Sequence, residues 1–139
     1  MRNLFGEEIP EKMDGRKFEK HIANILKKYD GCSIVEQVTI GKKFGNHKHI
    51  VDILVFVKSS NAKIIVSVKF QDVGGTAEEK VGYEMYTLEK SDCEKAFIIC
   101  GGSGWSIFED LLDMSKLYPK VNLIRYEDDE TLSFIKNEI

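Results

Sequence analysis

Apolar residues recur along this chain with two different periods. Phe18, Ile22, Ile25, Leu26 and Tyr29 fall at helical spacing, with Asp14 placed to cap the start and Gly31 to end it, so the pattern predicts a helix over 14–30. Residues 33–40 read as a strand, and 41–49, GKKFGNHKH, as a polar loop with two glycines. Two further strands are predicted over 50–58 and 63–71, and SSNA between them is short enough for a hairpin connection. DVGGT breaks the pattern; Ala77, Val81, Met85 and Leu88 then return at helical steps and predict a second helix over 76–90. A fourth strand follows over 95–100. Trp105, Phe108, Leu111, Leu112 and Ser115 mark a third helix stopped near Pro119, and a fifth strand over 121–126 leads to a last helix over 128–139. The order αβββαβαβα predicts an α/β fold, with a mixed central sheet built around an antiparallel hairpin and flanked by crossover helices.

The bulk properties narrow the class. A chain of 139 residues suits one domain, 1–139, with a core large enough to need no covalent staples. Hydrophobic residues at 42% and charged residues at 31% are those of an ordinary globular protein, which excludes disorder. No apolar run approaches the length of a bilayer span, and MRNLFGEEIP lacks the basic-then-apolar order of a secretory signal, so the expected setting is the cytoplasm with no membrane partner. Cys32, Cys93 and Cys100 are odd in number and lack C-x-x-C spacing, which predicts reduced thiols and no zinc site. A net charge of −3 argues against binding nucleic acid by overall basicity, but leaves room for a local basic patch beside acidic metal ligands.

The candidate chemistry lies on the two central strands. IVDILVFV is apolar on both faces except for Asp52, and a strand of that kind is expected to be covered on both sides. In KIIVSVKFQ, Ile64, Val66, Val68 and Phe70 share one face, while Ser67, Lys69 and Gln71 share the other. If the SSNA turn pairs the strands, Asp52 lies across from the Ser67 to Lys69 region. An ion pair that merely satisfies itself is the bland alternative, but desolvation makes such a pair a poor source of stability. A carboxylate and a lysine on adjacent central strands are what metal-assisted phosphoryl transfer requires. Asp52 would bind Mg²⁺, and Lys69 would orient or deprotonate the attacking water and offset developing negative charge.

This constellation resembles the PD-(D/E)XK nuclease superfamily, and the resemblance covers most of the chain. Val51-Asp52 stands where that family has Pro-Asp, and Ser67-Val68-Lys69 stands where it has (Asp/Glu)-x-Lys. Ser67 cannot supply the second negative charge, so the resemblance implies either that another carboxylate reaches the metal or that cleavage is weakened. Some members carry the displaced acid on a neighbouring helix, and VKFQDVGGTAEEKV is similar to that segment in small restriction-enzyme-like members; Glu78 is then the first choice. Glu79 has a competing role, closing a capping box onto Thr76. Glu19, in a GRKFE segment similar to the family's first-helix G-x-x-F-E pattern, is the other candidate metal ligand. Gln71 would assist by binding the phosphate or the water, and Ser67 by holding a metal-bound water through its hydroxyl.

Two other segments carry weaker signals. Lys42, Lys43, His47 and Lys48 surround Phe44 in the 41–49 segment, which suits phosphate contacts as well as it suits a solvated loop. A metal site made of His47, His49 and Asp52 is disfavoured, because alternation sends Asp52 to the face opposite His49. GGSGW matches no phosphate-loop spacing and reads better as a tight turn that lets Trp105 pack under the sheet.

Taken with the resemblance, these residues imply a Mg²⁺-dependent DNA endonuclease of restriction type, with Mn²⁺ as a substitute ion and a homodimer as the form that cuts both strands. The competing expectations are a nuclease-fold DNA-binding module that has lost cleavage, a Holliday-junction-resolvase-type enzyme, and an α/β protein acting on another phosphoester.

Overall fold

A computed structural model describes residues 13–72 and 76–139, leaving out the side chains of Phe44, Thr76 and Ala77. Residues 73–75 of the expected DVGGT break and the Thr76 half of the expected capping box lie outside the described residues. The elements are α1 (Gly15–Leu26), β1 (Cys32–Lys43), β2 (His47–Val57), β3 (Lys63–Phe70), α2 (Thr76–Glu89), β4 (Lys95–Gly101), α3 (Phe108–Ser115), β5 (Val121–Arg125) and a short α4 (Ser133–Lys136). Their order is the one the hydrophobic pattern predicts. None of the described helices is long and apolar enough to cross a membrane.

The five strands form one mixed sheet in the order β1-β2-β3-β4-β5, with β1, β2 and β3 antiparallel and β3, β4 and β5 parallel. Each parallel step needs a crossover, and α2 and α3 supply them. Both crossover helices pack on one face: Val81, Met85 and Leu88 of α2 join Phe108 and Leu111 of α3 against Leu54, Ile65 and Ile98. On the other face Phe18, Ile22 and Leu26 of α1 meet Ile53, Val66, Ile99 and, from the C-terminal end, Leu132 and Ile135. Coverage on both sides explains why β2, β3 and β4 are apolar almost throughout, as a doubly covered sheet demands. It also means that any polar group on those strands is desolvated unless a partner is built for it.

The structure departs from the sequence expectations at three places. The segment 41–49 is not a loop: β1 and β2 run on through it, pairing Lys42 with Lys48 and Lys43 with His47 around a single 3₁₀ turn at Phe44–Asn46. Gly45 and Asn46, at φ 73° and 61°, supply the positive φ values that a tight reversal requires, so the basic side chains stand on a projecting hairpin. The third helix starts at Phe108 and not at Trp105; the Trp105 indole is buried and donates to the Gly101 carbonyl at 2.6 Å. The C-terminal helix begins as a 3₁₀ turn, Asp129–Leu132, and contributes little beyond Leu132 and Ile135.

Candidate active site

The site begins where the β2–β3 ladder ends. Strand pairing runs from Phe56 opposite Lys63 to Ile53 opposite Val66 and then stops. One residue further on, the Val68 N–H donates to the Asp52 carboxylate at 2.8 Å instead of to a backbone carbonyl. The strands therefore part into a fork with Asp52 in its throat. Side-chain alternation reverses at the same point: Ile34 and Ile53 pack in the α1 core, whereas Val38 and Val51, two or four positions away along each strand, pack in the α2 core. Gln37, the β1 residue between the paired Glu36 and Val38, has φ 50° and absorbs the reversal. Both faces of the sheet can thus deliver groups to the fork.

From the α2 face come Ser67, Lys69 and Glu84. The Lys69 ammonium lies 2.9 Å from one Glu84 oxygen, and the Ser67 hydroxyl donates to the other. Burial alone would push the Lys69 pKa down, but the Glu84 charge and hydrogen bond, with a further contribution from Asp52, outweigh it and hold Lys69 above the ordinary lysine value. Lys69 is therefore a fixed cation. Beside it in the parallel register, Cys100 is buried and its thiol is pushed up to about 12, first by burial and then by Glu84, so it is neutral and not a nucleophile.

From the α1 face comes Glu19, next to the buried Phe18 that anchors the helix on the sheet. The Gln37 amide donates to Glu19 and also lies within hydrogen-bonding reach of Asp52. Burial is the main cause that raises the pKa of both carboxyls; Asp52 adds to the rise at Glu19 and Glu84 to the rise at Asp52, and Lys69 draws both back down. A cleft of about 670 Å³ lined by Arg16, Glu19, Lys20, Glu36 and Gln37 opens this side to solvent.

The other expected site residues sit elsewhere. Glu78, the sequence-based choice for the helix-borne acid, is buried and accepts from Ser106 Oγ at 3.0 Å and from the Ile107 N–H at 3.2 Å, at the start of α3. Its carboxylate faces that helix end, and the α2 carboxylate that reaches Lys69 is Glu84, six positions later. Gln71 shares the buried region just past β3, but its amide nitrogen donates to the Gly104 carbonyl at 2.8 Å. That contact explains the GGSG turn: a Cβ on Gly102, which has φ 88°, would lie 2.4 Å from the Gln71 carbonyl oxygen. Lys42, Lys43, His47 and Lys48 stand on the hairpin tip, exposed. His49 turns inward on the α2 side, 3.4 Å from Ser91 Oγ and with its pKa lowered by burial and by Lys43. The three cysteines are free thiols.

Sequence reasoning missed Glu84 and Gln37. The signal for Glu84 was present: with Val81, Met85 and Leu88 it makes an i, i+3, i+4, i+7 set, so it is a glutamate at an inward-facing position. Gln37 gave none, since a polar residue after Glu36 in a half-exposed strand is ordinary.

Among the described residues no three His, Cys, Asp or Glu side chains converge as a ready-made metal cage. Mg²⁺ does not call for one, because it keeps several waters and is typically held by one or two carboxylates. Asp52 and Glu19 fit that role: both are hard oxygen donors, both carry raised pKa values that a nearby cation would relieve, and the cleft leaves room for hydration.

No curated protein matches the sequence. The family model for the PD-(D/E)XK nuclease superfamily domain matches residues 1–118, which span every strand but β5 and every side chain of the fork. Nucleases of this kind generally use divalent metal ions. The chain, whose two central strands part into a fork with an aspartate in its throat and a lysine on the facing strand, thus belongs to the PD-(D/E)XK nuclease superfamily.

Proposed function

We propose that the chain is a Mg²⁺-dependent DNA endonuclease, in which Asp52 and Glu19 hold the ion and Lys69 faces the scissile phosphate. The observation that carries this reading is the fork itself. Asp52 interrupts a ladder in the covered centre of the sheet and accumulates a desolvation penalty, an arrangement that costs stability and is warranted by a cation or substrate that binds there.

Bound Mg²⁺ would supply Lewis acidity toward the phosphate and a more acidic water. The chain's own groups do the rest. Lys69, kept protonated by Glu84, is unsuited to removing a proton; it orients the water and offsets charge developing on the phosphate oxygens. Glu84 stands in for the acid missing at Ser67, bonded to the hydroxyl that occupies the family position. Ser67 and Gln71 hold their neighbours in place, Ser67 on Glu84 and Gln71 on the Gly104 turn.

Lys42, Lys43, His47 and Lys48 on the projecting hairpin would bind DNA phosphates. A cleft of about 610 Å³, lined by Lys42, Lys43, His49, Tyr86 and Lys90, runs below that hairpin along α2, the helix that carries Glu84. Double-strand cleavage of restriction type with one site per chain calls for a homodimer. A second reading, DNA binding without cleavage, is favoured by Ser67 alone.

Purified protein with Mg²⁺ and three labelled DNAs, a linear duplex, a single strand and a four-way junction, separates these possibilities. Cuts in the duplex support the restriction-type reading, and cuts confined to the junction replace it with a resolvase. Retardation without cuts on any substrate, in Mg²⁺ or Mn²⁺, removes the enzyme reading.

A further inference from the structure

Gln37 is exposed, in the middle of β1, and yet it adopts φ 50°, a left-handed conformation that a non-glycine residue takes only at a cost in free energy. The register runs through it without an extra residue, Glu36 opposite Ile53 and Val38 opposite Val51, so the turn changes which way the side chains face and not how the strands pair. What the conformation achieves is a direction. A Gln37 in regular alternation would point away from Glu36, whose carboxylate reaches Lys20 and Lys27 of α1 at 3.3 Å and 2.7 Å. With the left-handed turn, Gln37 points to the same side as Glu36, and its amide donates to Glu19 of α1.

The residue facing Gln37 across the β1–β2 pair is Asp52, the one position of β2 between the paired Val51 and Ile53. The amide thus stands between two carboxylates that come from different elements and repel one another. An NH₂ group has two donors, one for each carboxylate, and a carboxylate has acceptor capacity left over after taking one such bond. Glu19 and Gln37 line a cleft on the α1 side, which is where a cation held by the remaining oxygens would sit.

We propose that Gln37 is a positioning residue for the metal site: its amide, delivered by the left-handed backbone at the centre of β1, bridges Glu19 and Asp52 and aims both at one divalent cation. This rests on the metal-binding reading above and adds to it the device that holds two ligands from α1 and β2 in a single geometry. Groups that orient metal ligands in this way typically contribute about 10–100-fold to metal affinity.

The test is Mn²⁺ binding to the full chain by titration calorimetry, with no DNA present. Gln37→Gly keeps the left-handed backbone, which glycine adopts freely, and removes the amide. Gln37→Asn tolerates positive φ but is too short to bridge. Both are expected to bind Mn²⁺ about 10–100-fold more weakly than the parent chain, with thermal unfolding midpoints no lower than the parent's. Parent-like affinity in either folded variant overturns the role of Gln37 alone. A parent chain that binds no Mn²⁺ overturns this proposal and the metal-site reading together.

Discussion

Glu84 engages two polar residues of β3 at once: one carboxylate oxygen lies 2.9 Å from Lys69 Nζ and the other accepts the Ser67 hydroxyl. A helix residue thereby fixes the charge state of a strand residue. Replacing it with glutamine leaves the shape and removes the charge, and burial then dominates at Lys69 and moves its pKa down. For a lysine held above its unfolded value, the stabilising contribution is complete below the unfolded value and is lost as pH rises through the folded one. Glu84→Gln is therefore expected to lower kcat/KM about a hundredfold or more and to move the alkaline limb of its pH profile to lower pH. An unaltered profile would show that Lys69 does not depend on Glu84.

Asp52 carries the opposite kind of burden. Burial raises its pKa, and the Val68 N–H and Lys69 only partly draw it back. A carboxyl held above its unfolded value favours the fold most below that unfolded value, and the advantage is lost as pH rises through the folded value. Ionised Asp52 is thus a liability at neutral pH, and Asp52→Asn is expected to melt higher than the parent there, with the gap closing in acid. Divalent ion should reverse the order. At a hundredfold excess over Kd, Mg²⁺ is expected to stabilise the parent by about 2.7 kcal/mol and the variant by much less. Differential scanning calorimetry across pH, with and without Mg²⁺, reads both effects; a parent indifferent to Mg²⁺ would count against the ion.

Two helix glutamates should separate cleanly. Glu78 accepts from Ser106 and from the Ile107 N–H where α3 begins, so Glu78→Gln is expected to lower unfolding stability by about 1–3 kcal/mol and leave cleavage near the parent rate. Glu19→Gln should do the reverse, with strong loss of cleavage and little loss of stability. Urea unfolding paired with an initial-rate assay decides; cleavage lost in Glu78→Gln would return that residue to the site.

The hairpin makes a prediction about salt. Lys42 and Lys43 face His47 and Lys48 across the extended β1–β2 pair, well placed for phosphate contacts. Lys42→Ala and Lys43→Ala are each expected to weaken duplex binding irrespective of sequence and to reduce the slope of log K against log salt by about one. A slope unchanged in the double variant would place the DNA elsewhere.

Much of this was legible from residue order alone. Strands and helices followed from apolar periodicity because the sheet is covered on both sides, and Asp52 and Lys69 stood out because a charge in such a strand demands a reason. The hairpin tip was illegible for a related reason: residues 41–48 extend beyond the covered area, so no apolar alternation marks them as strands, although backbone pairing resumes there past a register shift between Thr39 and Lys42. Glu78 and Glu84 share α2, and what separates them is where the ends of β3 and α3 fall in space. Gln37 depends on a reversal of alternation made by β1 and β2 jointly, which neither strand reveals by itself.

The most direct test of the account is cleavage of supercoiled plasmid in Mg²⁺ by the parent, Asp52→Asn and Lys69→Ala proteins, each assayed beside a gel-retardation measurement of the same DNA. The account predicts nicked or linear product from the parent only, its disappearance on chelation, and retained DNA binding in both variants. Cleavage by either variant at the parent rate, or intact plasmid with all three proteins, would contradict it.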